Sequence, residues 1–278
     1  MLRRGHRLSC VGTVVNRMIT LDRLTFSYGS HAPVLKDVSL TLSRGESVCI
    51  MGANGCGKST LARIVAGLAT PLSGSVQIEV DHQNADSRSV NPARPVGILF
   101  QNPDNQMVAV TVEKEIAFAL ENAAIPLSKM ETMVSATLAQ FGITHVRTRL
   151  TTELSGGETQ QVALAAVMVC HPPIIILDEP DSFLDQRGKE LLNEALDHLH
   201  ANNHDMVEIR ITQYPSVARE YKRLIVMHGG EIVADGEPAV ILSNDDFCER
   251  VGLKYSRRSV SVPCSRSDRF PQPGSRPA

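Results

Sequence analysis

Gly52-Ala53-Asn54-Gly55-Cys56-Gly57-Lys58-Ser59 is the stretch on which the fold turns. It matches GxxxxGK[ST] at every position. Glycines at these places let the backbone wrap a phosphate without Cβ clashes, so that successive N–H groups point inward. A helix starting there presents its N-terminus to the same anion. Lys58 has the length to reach β- and γ-phosphates, and Ser59 offers a hydroxyl to Mg²⁺. The flanks agree: Glu46–Met51 reads as an apolar strand and Lys58–Leu68 as a helix. Cys56 lies in the loop at a helix N-terminus, a place that can lower a thiol's pKa. A small filler residue is its plainer role.

A second stretch, Ile174-Ile175-Ile176-Leu177-Asp178-Glu179, is a wholly apolar run ending in two carboxylates. Such a run suits the middle of a parallel sheet covered on both faces. Open α/β sheets place ligands at strand ends. Asp178 suits direct or indirect contact to Mg²⁺, and Glu179 a general base acting on an attacking water. The rest of the chain alternates in the same manner. Val34–Leu42, Ser75–Glu79, Val96–Phe100 and Val207/Ile209/Ile211 read as strands. Thr111–Asn122 and Arg187–His200 read as helices with one apolar face. Ser128 and Glu131 have capping-box spacing ahead of a helix through Phe141, with Gly142 as its stop. Leu224–Met227 and Ile232–Ala234 flank Gly229-Gly230 as a hairpin. The pattern predicts an α/β protein with an antiparallel portion near its start and a helical insert at about 103–160.

Composition excludes other classes. No apolar run approaches the roughly 18 residues of a membrane span, and the first residues lack the apolar stretch of a secretory leader. The six cysteines form no CxxC pair, which argues against a disulfide framework or a zinc site and fits a reducing cytosol. Aromatics are 4% and Trp is absent, which weakens any base-stacking role. The net charge of −2 is an average over unlike parts. Residues 1–17 carry four arginines and no acid; residues 254–278 carry six basic residues against Asp268, so 18–253 is strongly acidic. An acidic body disfavours nucleic acid as a partner. Residues 1–17 read either as a disordered extension or as a misassigned start ahead of Met18. The Ser-, Arg- and Pro-rich residues 254–278 read as a disordered basic tail, one that could lie near anionic lipid or be merely solvated.

Leu154-Ser155-Gly156-Gly157-Glu158 resembles the signature motif of ABC ATPases, and the order phosphate loop, signature, Asp178-Glu179 is similar to that family over about residues 18–250. The resemblance implies a P-loop NTPase of the ABC ATPase fold: a RecA-like core, an antiparallel β subdomain and a helical subdomain. It implies that Asn54, Gly55, Cys56, Gly57, Lys58, Ser59 and Thr60 hold ATP, that Tyr28 stacks on adenine, and that Gln101 touches Mg²⁺ or the attacking water. Ser182-Phe183-Leu184-Asp185 resembles the D-loop that crosses the dimer interface. Ser155, Gly156 and Gly157 would close on ATP held by Lys58 of a second subunit. Read from its residues alone, Ser155–Glu158 is also a capping box at the head of an apolar helix.

Two details refine the resemblance. The family places a His after its last core strand; here Gln213 stands there, always neutral, and a slower site is expected. Phe100-Gln101-Asn102-Pro103-Asp104-Asn105-Gln106-Met107 looks like the equivalent region of energy-coupling-factor ATPases, the cobalt-transporter-like branch. That implies an ATP-hydrolysing importer subunit on the cytoplasmic face of the cell membrane, powering uptake of a vitamin or transition-metal ion. Its partners would be a second ABC ATPase subunit, a transmembrane scaffold protein meeting Gln101, Pro103 and Gln106, and a substrate-binding membrane component. The competing readings are a soluble ABC ATPase acting on nucleic acid or ribosomes, and a weakly hydrolysing interaction module.

Overall fold

The structure is a computed structural model that describes residues 17–80 and 95–253. Of the two expected loose ends, residues 1–16 and 254–278 lie outside the described part. Arg17, counted above with the extension, instead opens the first strand.

The expected antiparallel portion is a three-stranded sheet. β1 (Arg17–Phe26) lies between β2 (Leu35–Ser43) and β4 (Ser73–Ile78), antiparallel to both. Its buried side chains, Ile19, Leu21, Leu40 and Leu42 among them, pack down onto Leu61 and Val65 of α1 (Lys58–Val65) and onto the main sheet. α1 is shorter than the expected Lys58–Leu68, because Gly67 turns to φ +72° directly after its cap. A left-handed glycine at this place ends a helix.

The main sheet has six strands. β3 (Ser47–Gly52) sits between β7 (Val207–Ile211) and β8 (Arg223–His228); outside β7 come β6 (Ile174–Asp178) and β5 (Val96–Leu99). These five are parallel, and β9 (Glu231–Gly236) closes the other edge antiparallel to β8. The β8–β9 connection is the expected Gly229-Gly230 turn, both residues at positive φ. Side chains alternate across the sheet. Ile50, Ile174, Ile176, Ile209 and Ile211 face α1 and the antiparallel sheet. Cys49, Met51, Leu224 and Val226 face the opposite way, toward α6 (Pro215–Ala218), α7 (Pro238–Ile241) and α8 (Asp245–Arg250).

The helical insert is α2 (Val112–Asn122), α3 (Leu127–Gln140) and α4 (Gly156–Met168), which runs past the expected end at 160. α2 buries Val112, Ile116 and Leu120, the face its spacing predicts. α4 buries residues on every side and packs against α2 and α5 (Gln186–Asn202) in a core shared with Ile175 and Leu177. One boundary expectation fails. α3 is headed by Pro126, not by Ser128, and has no side-chain cap. Pro126, itself in an extended conformation, starts the helix early, so Ser128 already has helical backbone and cannot cap. Glu131 instead accepts from Arg147 Nη2 at 2.7 Å and Ser135 Oγ at 3.2 Å.

Parallel strands place their carboxyl ends at one edge. The phosphate loop follows β3, Gln101 follows β5, Glu179 follows β6 and Gln213 follows β7. Residues far apart in sequence therefore share one rim of the sheet.

Candidate active site

The loop's shape is dictated by glycine. Gly57 caps α1 at φ +108°, and a Cβ there would stand 2.7 Å from Leu35 Cδ2. A Cβ on Gly52 would stand 2.2 Å from the Met227 carbonyl oxygen. At Gly52 no other residue fits without moving backbone, and at Gly57 the left-handed φ strains any residue with a Cβ. α1 has no side-chain cap, so its first N–H groups remain for a ligand in the loop. Lys58 is buried; its Nζ donates to the carbonyls of Gly52 at 2.9 Å and Ala53 at 3.0 Å. Cys56 is buried with its sulfur against Gly52, which fits the filler role. Asn54 and Gly55 are exposed at the loop's tip.

Ser59 donates its hydroxyl to Asp178, which is buried at the end of β6. Burial pushes the Asp178 carboxyl above the ordinary aspartate range, against the pull of the Ser59 hydrogen bond; the neighbouring Glu179 charge pushes it further up. Glu179 has φ +49°, a left-handed backbone at a non-glycine residue. Such a conformation costs about 1–3 kcal/mol and persists only where surroundings enforce it. Its N–H donates to the Ile211 carbonyl at 3.0 Å. Its two carboxylate oxygens are each taken by an amide: Gln213 Nε2 on Oε1 at 2.5 Å and Gln101 Nε2 on Oε2 at 3.1 Å. The three residues expected to do the chemistry thus meet, from three strand ends.

Tyr28 is 44% exposed, edge-on to Phe26, with its hydroxyl 3.2 Å from Thr60 Oγ1. Thr60 therefore anchors Tyr28 to α1. Ser155, Gly156 and Gly157 open α4 with the complete capping box: Glu158 N–H donates to Ser155 Oγ, and Ser155 N–H donates to Glu158 Oε2 at 2.8 Å. The Ser155 backbone N–H and then its hydroxyl, which donates to the same oxygen at 2.7 Å, hold the Glu158 carboxyl below its ordinary range. Asp185 caps α5 through Gly188 N–H at 2.7 Å, so its carboxylate already has a structural partner. The segment 100–107 differs from expectation in part. Gln101 is exposed, but Pro103 is buried and Gln106 turns back on β5, donating to the Ile98 carbonyl and accepting from Phe100 N–H.

Some positions were not singled out by sequence. Gln160 of α4, fully buried, donates to the Pro180 carbonyl at 3.0 Å. Arg210 of β7, equally hidden, donates to both oxygens of Asp181 at 2.6 and 2.8 Å. Glu115 of α2 is buried and accepts from the N–H groups of Val108 and Ala109. The available signal was in Val207-Glu208-Ile209-Arg210-Ile211: alternation suits a half-exposed strand, yet β7 lies inside a parallel sheet.

A phosphate loop on a parallel sheet, with Asp178-Glu179 at its rim and a capped signature helix in a separate helical insert, defines a nucleotide-hydrolysing ATPase cassette. The family model described as ABC transporter matches residues 35–182. The energy-coupling factor transporter ATP-binding protein EcfA of Enterococcus faecium is 40% identical over 259 residues, covering 88% of this chain and 92% of that protein. EcfA1 of Lactiplantibacillus plantarum is 37% identical over 264 residues, covering 90% and 93%. Among solved structures, cbiO1 from Clostridium perfringens, part of the ABC transporter complex cbiONQ, superposes with TM-score 0.66 at 28% identity over 86% of this chain and 96% of its own. The dimeric ATP-binding cassette MJ0796, bound to ADP and Pi, gives 0.67 at 26% over 80% and 99%. The chain belongs to the ABC transporter family, in its energy-coupling-factor ATP-binding branch, and hydrolyses ATP coupled to transport.

Proposed function

We propose that this chain is one of two ATPase subunits that drive an importer for a vitamin or transition-metal ion from the cytoplasmic face of the membrane. The observation that carries the reading is the meeting of Gln101, Glu179 and Gln213 beside the Ser59–Asp178 pair. Two subunits close head to tail, with ATP between the phosphate loop of one and Ser155, Gly156 and Gly157 of the partner subunit. Lys58 leaves the Gly52 and Ala53 carbonyls for the β- and γ-phosphates, and the loop N–H groups hold the charge that develops in transfer. Glu179 orients the attacking water and accepts its proton, which requires at least one of the two glutamine amides to release its carboxylate oxygen. Tyr28 offers its exposed ring to the adenine.

The donors at the rim fit Mg²⁺: the Ser59 hydroxyl and Asp178 carboxylate are hard oxygen ligands, and burial leaves the Asp178 charge in need of a cation. Held by Ser59 and Asp178, with Gln101 alongside, the ion would neutralise charge on the transferring phosphate.

Among the described residues no helix is long and apolar enough to cross a membrane. The import path therefore belongs to other chains: a transmembrane scaffold protein and a substrate-binding membrane component. The scaffold's contact is drawn from exposed residues near Gln101. Val108 and Val110 are both 65% exposed, and Leu150, which bridges to Thr111 directly after Val110, is 40% exposed. Tagged protein extracted from membranes in mild detergent should bring with it an integral membrane protein and an ATPase subunit. Recovery only from the soluble fraction, with nucleic acid or ribosomes, would overturn this reading.

A further inference from the structure

The segment Glu179-Pro180-Asp181 leaves β6 through a corner gripped at each residue. The Glu179 N–H is bonded to β7 at the Ile211 carbonyl, and the Pro180 carbonyl accepts from Gln160 of α4. Asp181 takes both of its bonds from Arg210 Nη2. The Arg210 and Asp181 side chains are 3% and 8% exposed. β7 and the residues just after it therefore grip the corner three times: the Ile211 carbonyl on the Glu179 N–H, Arg210 on Asp181, and Gln213 from just beyond the strand's end on the Glu179 carboxylate.

The guanidinium gives both of its bonds to Asp181. Among the described residues, Arg210 Nε and Nη1 find no hydrogen-bond partner, although both are buried. The other charged residue of β7, Glu208, is served elsewhere, by the Tyr221 hydroxyl and by His200 Nε2 at 2.8 Å. Burial works against the Arg210 charge, but Tyr221, Asp181 and Glu208 nearby outweigh it, and the guanidinium is held charged. A buried ion pair is a poor source of stability, since well-packed apolar side chains of similar volume often serve as well. What this pair supplies is geometry: one nitrogen of a rigid, planar guanidinium sits between both carboxylate oxygens and fixes the carboxylate's direction as well as its distance. The residue two places before it, Glu179, is the one held at φ +49°.

We propose that Arg210 is a positioning residue for ATP hydrolysis, holding the Glu179-Pro180-Asp181 corner through Asp181 so that the Glu179 carboxylate stays aimed at the phosphate-loop rim. The inference rests on the reading of Glu179 as the base. Nucleotide affinity should be unchanged, because among the described residues Arg210 bonds Asp181 and none of the loop.

The test is the double variant Asp181→Asn/Arg210→Met in the full chain, which removes both buried charges together. Hydrolysis of MgATP is followed with its kcat and KM, nucleotide affinity by titration, and Tm by melting. The expected result is Tm and affinity near wild type with kcat down about tenfold or more, as a displaced reacting group brings. Wild-type kcat in the folded double variant overturns the proposal. So does a loss of stability with kcat per folded molecule unchanged. Should the double variant not fold, Arg210→Lys decides: it keeps the charge but replaces the rigid planar group with a freely rotating ammonium on a different reach, so a reduced kcat at unchanged affinity upholds the proposal and a wild-type kcat overturns it. Glu179→Gln, run beside them, separates the two readings. Normal turnover in that variant removes Glu179 as base, whatever Arg210 does.

Discussion

Gln213 donates its side-chain amide to Glu179 Oε1 at 2.5 Å, across 34 positions of sequence. The carboxylate can only accept, so the amide nitrogen faces it. With Gln101 on the other oxygen, the Glu179 carboxylate is held by two neutral donors, neither of which can take up a proton. Gln213→His should therefore raise the rate of phosphate release at saturating ATP several-fold, because imidazole can carry charge at neutral pH. An unchanged or lower rate would show that Gln213 does not limit the site.

Glu179→Gln removes the proposed proton acceptor and keeps the side chain's size. ATP binding should persist within about twofold while hydrolysis falls by at least 10²-fold, the range lost with a positioned general base. ATP should then hold the protein as a dimer on gel filtration.

Lys58 is buried against two loop carbonyls and is the one cation of the loop. Lys58→Ala should weaken ATP binding by roughly tenfold or more, since a charge-assisted bond contributes about 1.5–3 kcal/mol. Equilibrium titration with a fluorescent ATP analogue measures it; binding within twofold of wild type would contradict the role.

Glu158 gives a pH dependence. Ser155's backbone N–H, then its hydroxyl, hold the carboxyl below its ordinary value of 4.5. A folded pKa below the unfolded one means stability that is present above about pH 4.5 and lost as pH falls through the folded value. Glu158→Gln should flatten that acid limb of the stability curve by about 0.5–1 kcal/mol, the scale of a helix cap. Denaturant melts between pH 3 and 6 would show it, and parallel curves for the two proteins would exclude it.

Tyr28 stands over Thr60 with its ring exposed. Tyr28→Ala should weaken ATP binding by roughly fivefold to hundredfold, as loss of a base–aromatic stack of about 1–3 kcal/mol does. The loss should be the same for ADP and absent for tripolyphosphate. An equal loss for tripolyphosphate would place the effect in the loop.

Much of this was legible in the chain because the signals are local. A phosphate loop is eight consecutive residues whose backbone freedom and charge are properties of those residues. The Ser155–Glu158 cap spans four, and the Gly229-Gly230 turn two; each appears as read. The Ser128–Glu131 pair, with the same spacing, does not cap, because Pro126 starts the helix first. Spacing states what a helix end could use, and the backbone around it states whether it does.

Only the tertiary structure decided which distant groups share a surface. That Gln101 and Gln213 hold the two oxygens of Glu179 depends on β5, β6 and β7 lying side by side and parallel, so that their carboxyl ends coincide. Glu208 and Arg210 read as one polar face of a half-exposed strand, yet sheet order puts β7 between β6 and β3 and buries both. Their partners, Tyr221, His200 and Asp181, come from three other parts of the chain. Strand order is set by which apolar faces pack together, a sum over the whole chain, and no short window of sequence contains it.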